Sequence, residues 1–149
     1  MLHSNFCVLK KILGRTDVLD FPQLQLYKVP VKVDTGAYTS SIHCTNIHVC
    51  NGQLFCRFPQ LEQTDSEEKM YSFSKFESAK VRSSNGLLQQ RYKVKTKITV
   101  FGKVYNISLT LSDREKMRFP VLLGRKFLSK KFIIDPQLVN LSFQQKNNS

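Results

Sequence analysis

Residues 28–34 read Lys-Val-Pro-Val-Lys-Val-Asp, so Val29, Val31 and Val33 alternate with Lys28, Pro30 and Lys32. A period of two puts the apolar side chains on one face and predicts a half-buried strand. Pro30 belongs near its start or at a sheet edge, because proline has no N–H for the ladder. Residues 42–49 and 53–58 flank Asn51-Gly52, a pair that accepts the positive φ angles of a tight hairpin. Residues 76–82 and 89–96 predict a second hairpin with the polar tip Ser83-Ser84-Asn85-Gly86. Along its return strand Tyr92, Val94 and Thr96 alternate with Arg91, Lys93, Lys95 and Lys97, which makes one face cationic. A third hairpin turns at Gly102-Lys103 between residues 98–101 and 104–111. A polar connection over 112–118 leads to an apolar run at 119–123 that ends in Gly124. One or two helical turns over 125–131 and strands at 132–134 and 138–143 complete the pattern. No segment keeps a 3.6-residue period beyond about two turns, and no internal repeat stands out. Many short strands joined by turns predict an all-β barrel or sandwich.

Length and charge narrow the picture. The 149 residues fit one domain over 1–149, with a core at about 12–143 and a polar tail at 144–149 expected to be disordered. No stretch reaches the roughly 18 apolar residues of a membrane span. Lys10 and Lys11 interrupt the apolar run near the start, and no small-residue cleavage site follows. The expectation is a cytoplasmic protein with no membrane partner. Against 11 Asp+Glu stand 23 Lys+Arg, a net charge of +12. Such a surface attracts polyanions, and it also serves simply to keep a protein in solution. No basic-aromatic signature accompanies it, so nucleic acid is not the favoured partner.

Cys7, Cys44, Cys50 and Cys56 show no Cys-x-x-Cys spacing. In a cytosolic protein they read as small buried hydrophobes, with two disulfides left open as an alternative. His43, Cys44, His48 and Cys50 are the candidate metal cluster. Adjacent strand residues point to opposite faces, so no metal is predicted there. A nucleophilic Cys44 served by His43 fails for the same geometric reason. Neither His-Glu-x-x-His nor a Gly-Lys-Ser/Thr phosphate loop occurs, and no cofactor is expected.

The chemistry-bearing motif is Asp34-Thr35-Gly36-Ala37, directly after the valine-rich strand. Alone it reads as a strand-ending turn in which Asp caps the backbone and Gly supplies a positive φ. Its context argues for more. A glycine-bearing hairpin follows roughly 50 residues on, and Val121-Leu122-Leu123-Gly124-Arg125 about 90 residues on.

The order of Asp34-Thr35-Gly36-Ala37, Ser83-Ser84-Asn85-Gly86 and Leu122-Leu123-Gly124-Arg125 resembles that of retropepsins. The wider pattern is similar to one bacterial family of retropepsin-like endopeptidases, which also carries the label of ATP-dependent zinc proteases. The resemblance rests on Leu13-Gly14-Arg15, Lys32-Val33-Asp34-Thr35-Gly36-Ala37 with Thr39-Ser40, and Val81-Arg82-Ser83-Ser84-Asn85-Gly86. It continues through Arg91-Tyr92, Met117-Arg118-Phe119-Pro120 leading into Leu122-Leu123-Gly124-Arg125, and Asp135-Pro136. It covers roughly residues 12–136.

The resemblance implies a closed retropepsin-like barrel, one lobe per chain, with a flap hairpin and a short helix near 125–131. It implies a catalytic Asp34 and an active-site loop of Thr35, Gly36 and Ala37. Ser83, Ser84, Asn85 and Gly86 would form the flap tip, and Leu122, Leu123, Gly124 and Arg125 would support the site. Peptide hydrolysis by this route needs two carboxylates about 3 Å apart sharing one proton. The chain holds one Asp-Thr-Gly, so a homodimer must bring two copies of Asp34 together. Tyr38 departs from the family, where arginine is more usual and viral retropepsins have an aspartate that pairs with the arginine of the Gly-Arg motif. Arg125 then needs another partner, and Asp135 or Asp17 are the candidates.

Arg82, Arg91 and Arg118 are the candidate substrate-binding residues of a cationic cleft, which would favour acidic peptides. Members of the family are associated with ATP-grasp ligases that add glutamates to a ribosomal protein. The resemblance therefore implies a glutamate-rich protein tail as substrate and a functional link to such a ligase. The rival reading is a catalytically silent dimerisation or peptide-binding module on the same fold.

Overall fold

The computed structural model describes residues 9–61, 69–82, 85–113 and 118–147. Six strands close a barrel in the order β10 (Lys103–Ser112), β4 (Ser40–His43), β11 (Val121–Leu123), β3 (Leu26–Val33), β2 (Thr16–Phe21) and β9 (Leu88–Val100). Pairing of β9 with β10 completes the ring, and β8 (Glu77–Arg82) extends β9 outward as a hairpin. A three-stranded sheet of β5 (Thr45–Cys50), β6 (Gln53–Arg57) and β7 (Tyr71–Phe73) packs beside it. A parallel pair, β1 (Lys11–Leu13) with β12 (Phe132–Ile134), joins the two ends of the fold. Two short α-helices, α1 (Arg125–Leu128) and α2 (Leu141–Asn147), and 3-10 turns at Pro22–Leu24 and Pro59–Leu61 complete the described chain.

Alternation explains most of the barrel. Val29, Val31 and Val33 of β3 point inward while Lys28, Pro30 and Lys32 stay exposed. Pro30 lies one residue before β11 joins β3 at Val31, so its missing N–H falls where β3 has only β2 as a paired neighbour. Val94, Thr96, Ile98 and Val100 of β9 face Ile107, Leu109 and Leu111 of β10 in the same core. Asn51 and Gly52 both take positive φ in the β5–β6 turn, as that hairpin type requires.

Several elements differ from the sequence expectation. The third hairpin turns at Phe101-Gly102, with φ of 52° and 74°, and Lys103 already pairs with Val100. Residues 42–49 do not form one strand. β4 stays in the barrel while β5 leaves for the second sheet, with Cys44 between them. The strand expected over 138–143 is a single bridge from Val139 to Thr16, followed by α2. The buried Asp17 carboxylate causes that switch. It accepts the N–H groups of Ser142 at 3.0 Å and Phe143 at 3.1 Å, satisfying donors that an N-terminal helical turn leaves open. Helix α2 therefore runs through the polar tail as far as Asn147.

The chain also carries an internal correspondence that the sequence reading does not anticipate. Leu13-Gly14-Arg15 crosses the segment after Asp135, and Leu123-Gly124-Arg125 crosses the segment after Asp34. At the first crossing Asp135 N–H donates to Leu13 O at 2.9 Å and Arg15 N–H to Leu138 O at 2.9 Å. A Cβ on Gly14 would lie 2.1 Å from Leu138 O, so only glycine lets the strands approach this closely.

Candidate active site

Strand β3 carries the chain to Asp34, and β11 runs parallel beside it with Val33 opposite Leu123. Asp34 N–H donates to Leu123 O at 2.9 Å. The Asp34 carboxylate turns back on its own loop, where Oδ1 accepts Gly36 N–H at 3.0 Å, and Ala37 N–H donates to Asp34 O at 3.2 Å. The carboxylate is half-buried, while Thr35 and Gly36 are exposed. Gly36 does not take a positive φ, so turn strain does not account for this glycine. A Cβ there would instead come within 3.3 Å of Asp34 Oδ1, close enough to crowd the carboxylate.

Leu123 is fully buried beneath the loop and Leu122 half-buried beside it. Gly124 N–H donates to the buried Ser40 hydroxyl at 3.0 Å, and a Cβ on Gly124 would lie 2.5 Å from Thr39 O. Arg125 finds neither Asp17 nor Asp135. Its Nη1 donates to Thr35 O at 3.0 Å, and its guanidinium lies 5.8 Å from the Tyr38 ring centroid. The residue that removes the expected acid thus supplies a π face instead. Asp17 is occupied in capping α2, and Asp135 Oδ1 accepts Gln137 N–H at 3.0 Å.

The β8–β9 hairpin places Arg82 opposite Leu88 and Arg91 opposite Ala79. At its end Gly86 has φ of 84°, and Asn85 Oδ1 accepts Leu87 N–H at 3.2 Å. Leu87 and Leu88 are strongly exposed there. Ser83 and Ser84 lie outside the described residues.

A cavity of about 590 Å³ abuts the aspartate strand. Arg15, Lys32, Val33, Arg118 and Leu122 are among its lining residues. Arg118 from the expected substrate-binding set is here and Arg91 is not among its lining residues, while the Arg82 side chain lies outside the described residues. Arg15 and Lys32 are cations that the sequence reading leaves out of that set. The alternation of β3 carries the signal for Lys32, which precedes Asp34 by one strand period.

His43, Cys44, His48 and Cys50 do not converge. His43 is buried, with its backbone N–H on Pro120 O at 2.7 Å, whereas His48 is exposed and stacked on Phe55. Among the described residues no group of three or more His, Cys, Asp or Glu could hold a metal ion. A hydrogen bond with the Cys56 thiol, followed by burial, raises the Cys44 thiol far above the ordinary range. A thiol held neutral in this way is a poor nucleophile. Among the described residues no helix is long and apolar enough to cross a membrane.

Comparison with known proteins identifies the family of the chain. The family model described as retropepsin-like aspartic endopeptidase RimB matches residues 12–145. A probable alpha-L-glutamate ligase of Desulfotalea psychrophila is 32% identical over 135 residues, covering 88% of this chain and 29% of that protein. The probable alpha-L-glutamate ligase of Shewanella halifaxensis is also 32% identical, over 85% of this chain and again 29% of its own length. The chain thus spans less than a third of the curated relatives it matches. Among solved structures, the Legionella pneumophila protein Lpg0085, of unknown function, superposes with a TM-score of 0.66 and 25% identity. That match covers 90% of this chain and 99% of the other. The chain belongs to the RimB-like family of retropepsin-like aspartic endopeptidases.

Proposed function

We propose that the protein is an aspartic endopeptidase that works as a homodimer, with Asp34 of each subunit forming one active site. The observation that carries this reading is a half-buried Asp34 at the end of β3, whose backbone N–H is fixed by β11 and whose carboxylate is held by Gly36 N–H, following two residues, Lys32 and Val33, that line a cation-rich cavity. In the dimer two Asp34 carboxylates share one proton. The ionised one takes a proton from a water held between them, and the protonated one donates a hydrogen bond to the scissile carbonyl. Thr35 bonds to the partner loop, and Ala37 and Gly36 leave room for the substrate backbone. The β8–β9 hairpin, with Ser83 to Gly86 at its tip, closes over the peptide and excludes water. Leu122, Leu123, Gly124 and Arg125 keep the loop in shape.

The substrate is an acidic, glutamate-rich peptide. Arg15, Lys32 and Arg118 support this, because they set three positive charges around a cavity that adjoins the strand carrying Asp34. The names of the relatives add a link to glutamate ligation. Ligase chemistry would reside in the part of those proteins that this chain does not match, and the peptidase would act on chains that such a ligase extends. The test is hydrolysis of glutamate-run and glutamine-run peptides by wild type and Asp34→Asn, with products read by mass spectrometry. Cleavage of the glutamate peptides by wild type alone is expected. Equal cleavage by both proteins sinks the aspartic mechanism, and no cleavage by a dimeric wild type favours a silent binding module.

A further inference from the structure

A second cavity, of about 540 Å³, lies between β9, β10 and α1. Five lysines line it, namely Lys93, Lys95 and Lys97 from β9, Lys126 from α1, and Lys131 just beyond α1. No aspartate or glutamate is among the lining residues. Lys131 Nζ donates to Phe127 O at 2.8 Å and Lys97 Nζ to the Asn106 side-chain oxygen. Neither contact neutralises a charge, and among the described residues no carboxylate pairs with any of the five.

Thr96 also lines this cavity. It is 5% exposed, and its hydroxyl finds no hydrogen-bond partner among the described residues. Buried polar atoms are seldom left so, but this hydroxyl points with Val94 and Ile98 into the barrel, away from the lysine face, so the lysines alone make the cavity a binding surface. The cavity wall is continuous with the active-site loop. Thr39 and Ser40 line it and follow that loop directly, Ser40 holds Gly124 N–H, and Lys126 N–H donates to Tyr38 O at 2.9 Å.

We propose that this five-lysine cavity is a second binding site, taking carboxylates of an acidic peptide chain at residues beyond those held next to Asp34. The proposal rests on the peptidase reading above and adds a site to it. Lysine ammonium groups are mobile point charges, not rigid forks. They suit several carboxylates spread along a flexible chain better than one planar group in a fixed pose. The one aromatic residue lining the cavity, Phe127, is buried. It offers no open face for base stacking, which weighs against single-stranded nucleic acid. A chain that fills both cavities gains from the effective concentration of its second segment, so affinity rises with the length of the acidic run.

The test uses full-length Asp34→Asn protein and fluorescence anisotropy with short and long oligoglutamate, long oligoglutamine and single-stranded RNA. Long oligoglutamate is expected to bind on the order of tenfold or more tighter than short. The double variant Lys95→Gln, Lys126→Gln should lose that advantage. Lys10→Gln with Lys103→Gln, which removes the same charge outside the cavity, should keep it. Equal affinity for short and long chains, no binding of oligoglutamate, or an advantage that survives the lysine pair would overturn the proposal. Lysine-dependent binding of RNA in place of oligoglutamate would also overturn it. If wild type shows the length advantage but cuts nothing, the peptidase reading falls and the cavity assignment stands. If wild type cuts glutamate peptides with no length advantage, the cavity assignment falls and the peptidase reading stands.

Discussion

Leu13-Gly14-Arg15 and Leu123-Gly124-Arg125 use one backbone device at two places in the barrel. In each, the leucine carbonyl accepts an aspartate N–H at 2.9 Å, from Asp135 in the first and Asp34 in the second. Each aspartate Oδ1 accepts the N–H two residues on, at 3.0 Å in both. Each arginine donates Nη1 to a carbonyl of the facing turn, Pro136 O at 3.1 Å and Thr35 O at 3.0 Å. The sequences after the aspartates then diverge. Pro136, Gln137 and Leu138 lead into a bridge to β2 and helix α2, so that turn closes the fold. Thr35 and Gly36 stay exposed and no bridge or helix directly follows them, so that turn leaves Asp34 half-buried at the surface, just after Lys32 and Val33 of the cation-lined cavity. An aspartate turn under a Leu-Gly-Arg crossing is therefore a packing unit first. Its surroundings decide whether it also supports chemistry.

The largest expected effects fall on the shared device. Gly14→Ala and Gly124→Ala push a Cβ to 2.1 Å and 2.5 Å from backbone carbonyls. Each should cost roughly 3 kcal/mol or more in urea unfolding, with Gly14→Ala the worse. A neutral Gly14→Ala would break the equivalence. Arg125→Met removes the Thr35 contact and the Tyr38 stack, and about 1–2 kcal/mol of stability should go with them. Adding Tyr38→Leu should then cost less than it does in the wild-type background, a coupling read by a double-mutant cycle.

Asp135→Asn sharpens the contrast most directly. Asparagine can keep the turn, so stability should fall by less than about 1 kcal/mol and peptide cleavage should continue. The smallest effect concerns the helix that closes the first crossing. Burial works to raise the Asp20 pKa, but hydrogen bonds from Lys146 and from Lys28 N–H outweigh it and hold the carboxylate below its ordinary value. A lowered folded pKa contributes stability that is present above the unfolded value and is lost as pH falls through the folded one. Lys146→Met should remove a few tenths of a kcal/mol at neutral pH and less below about pH 4, measured by thermal unfolding across that range.

Strand β3 and the Asn51-Gly52 turn are legible because local alternation and turn chemistry both point one way. Strand β2 is hidden because an aspartate, Asp17, occupies one of its inward positions. Helix α2 is hidden because its capping carboxylate lies 125 residues earlier in the chain. The repeated Leu-Gly-Arg stands in plain view, yet three residues recurring once carry little weight until the backbone shows what they cross. For Arg125 the sequence points to an acid, because guanidinium groups pair with carboxylates. The protein supplies a carbonyl and a ring. Arg82 and Arg91 stand out in sequence for their place in the hairpin, whereas Arg15, Lys32 and Arg118 come together only through the barrel.

The central claim is one active site shared by two copies of Asp34, and subunit mixing tests it most directly. Wild type and Asp34→Asn are unfolded together, refolded at equal parts, and assayed on a glutamate-run peptide at fixed total concentration. Random pairing should leave about a quarter of the wild-type rate, since only dimers with two aspartates can share a proton. A rate of about one half would mean that each chain works alone, and it would contradict the account.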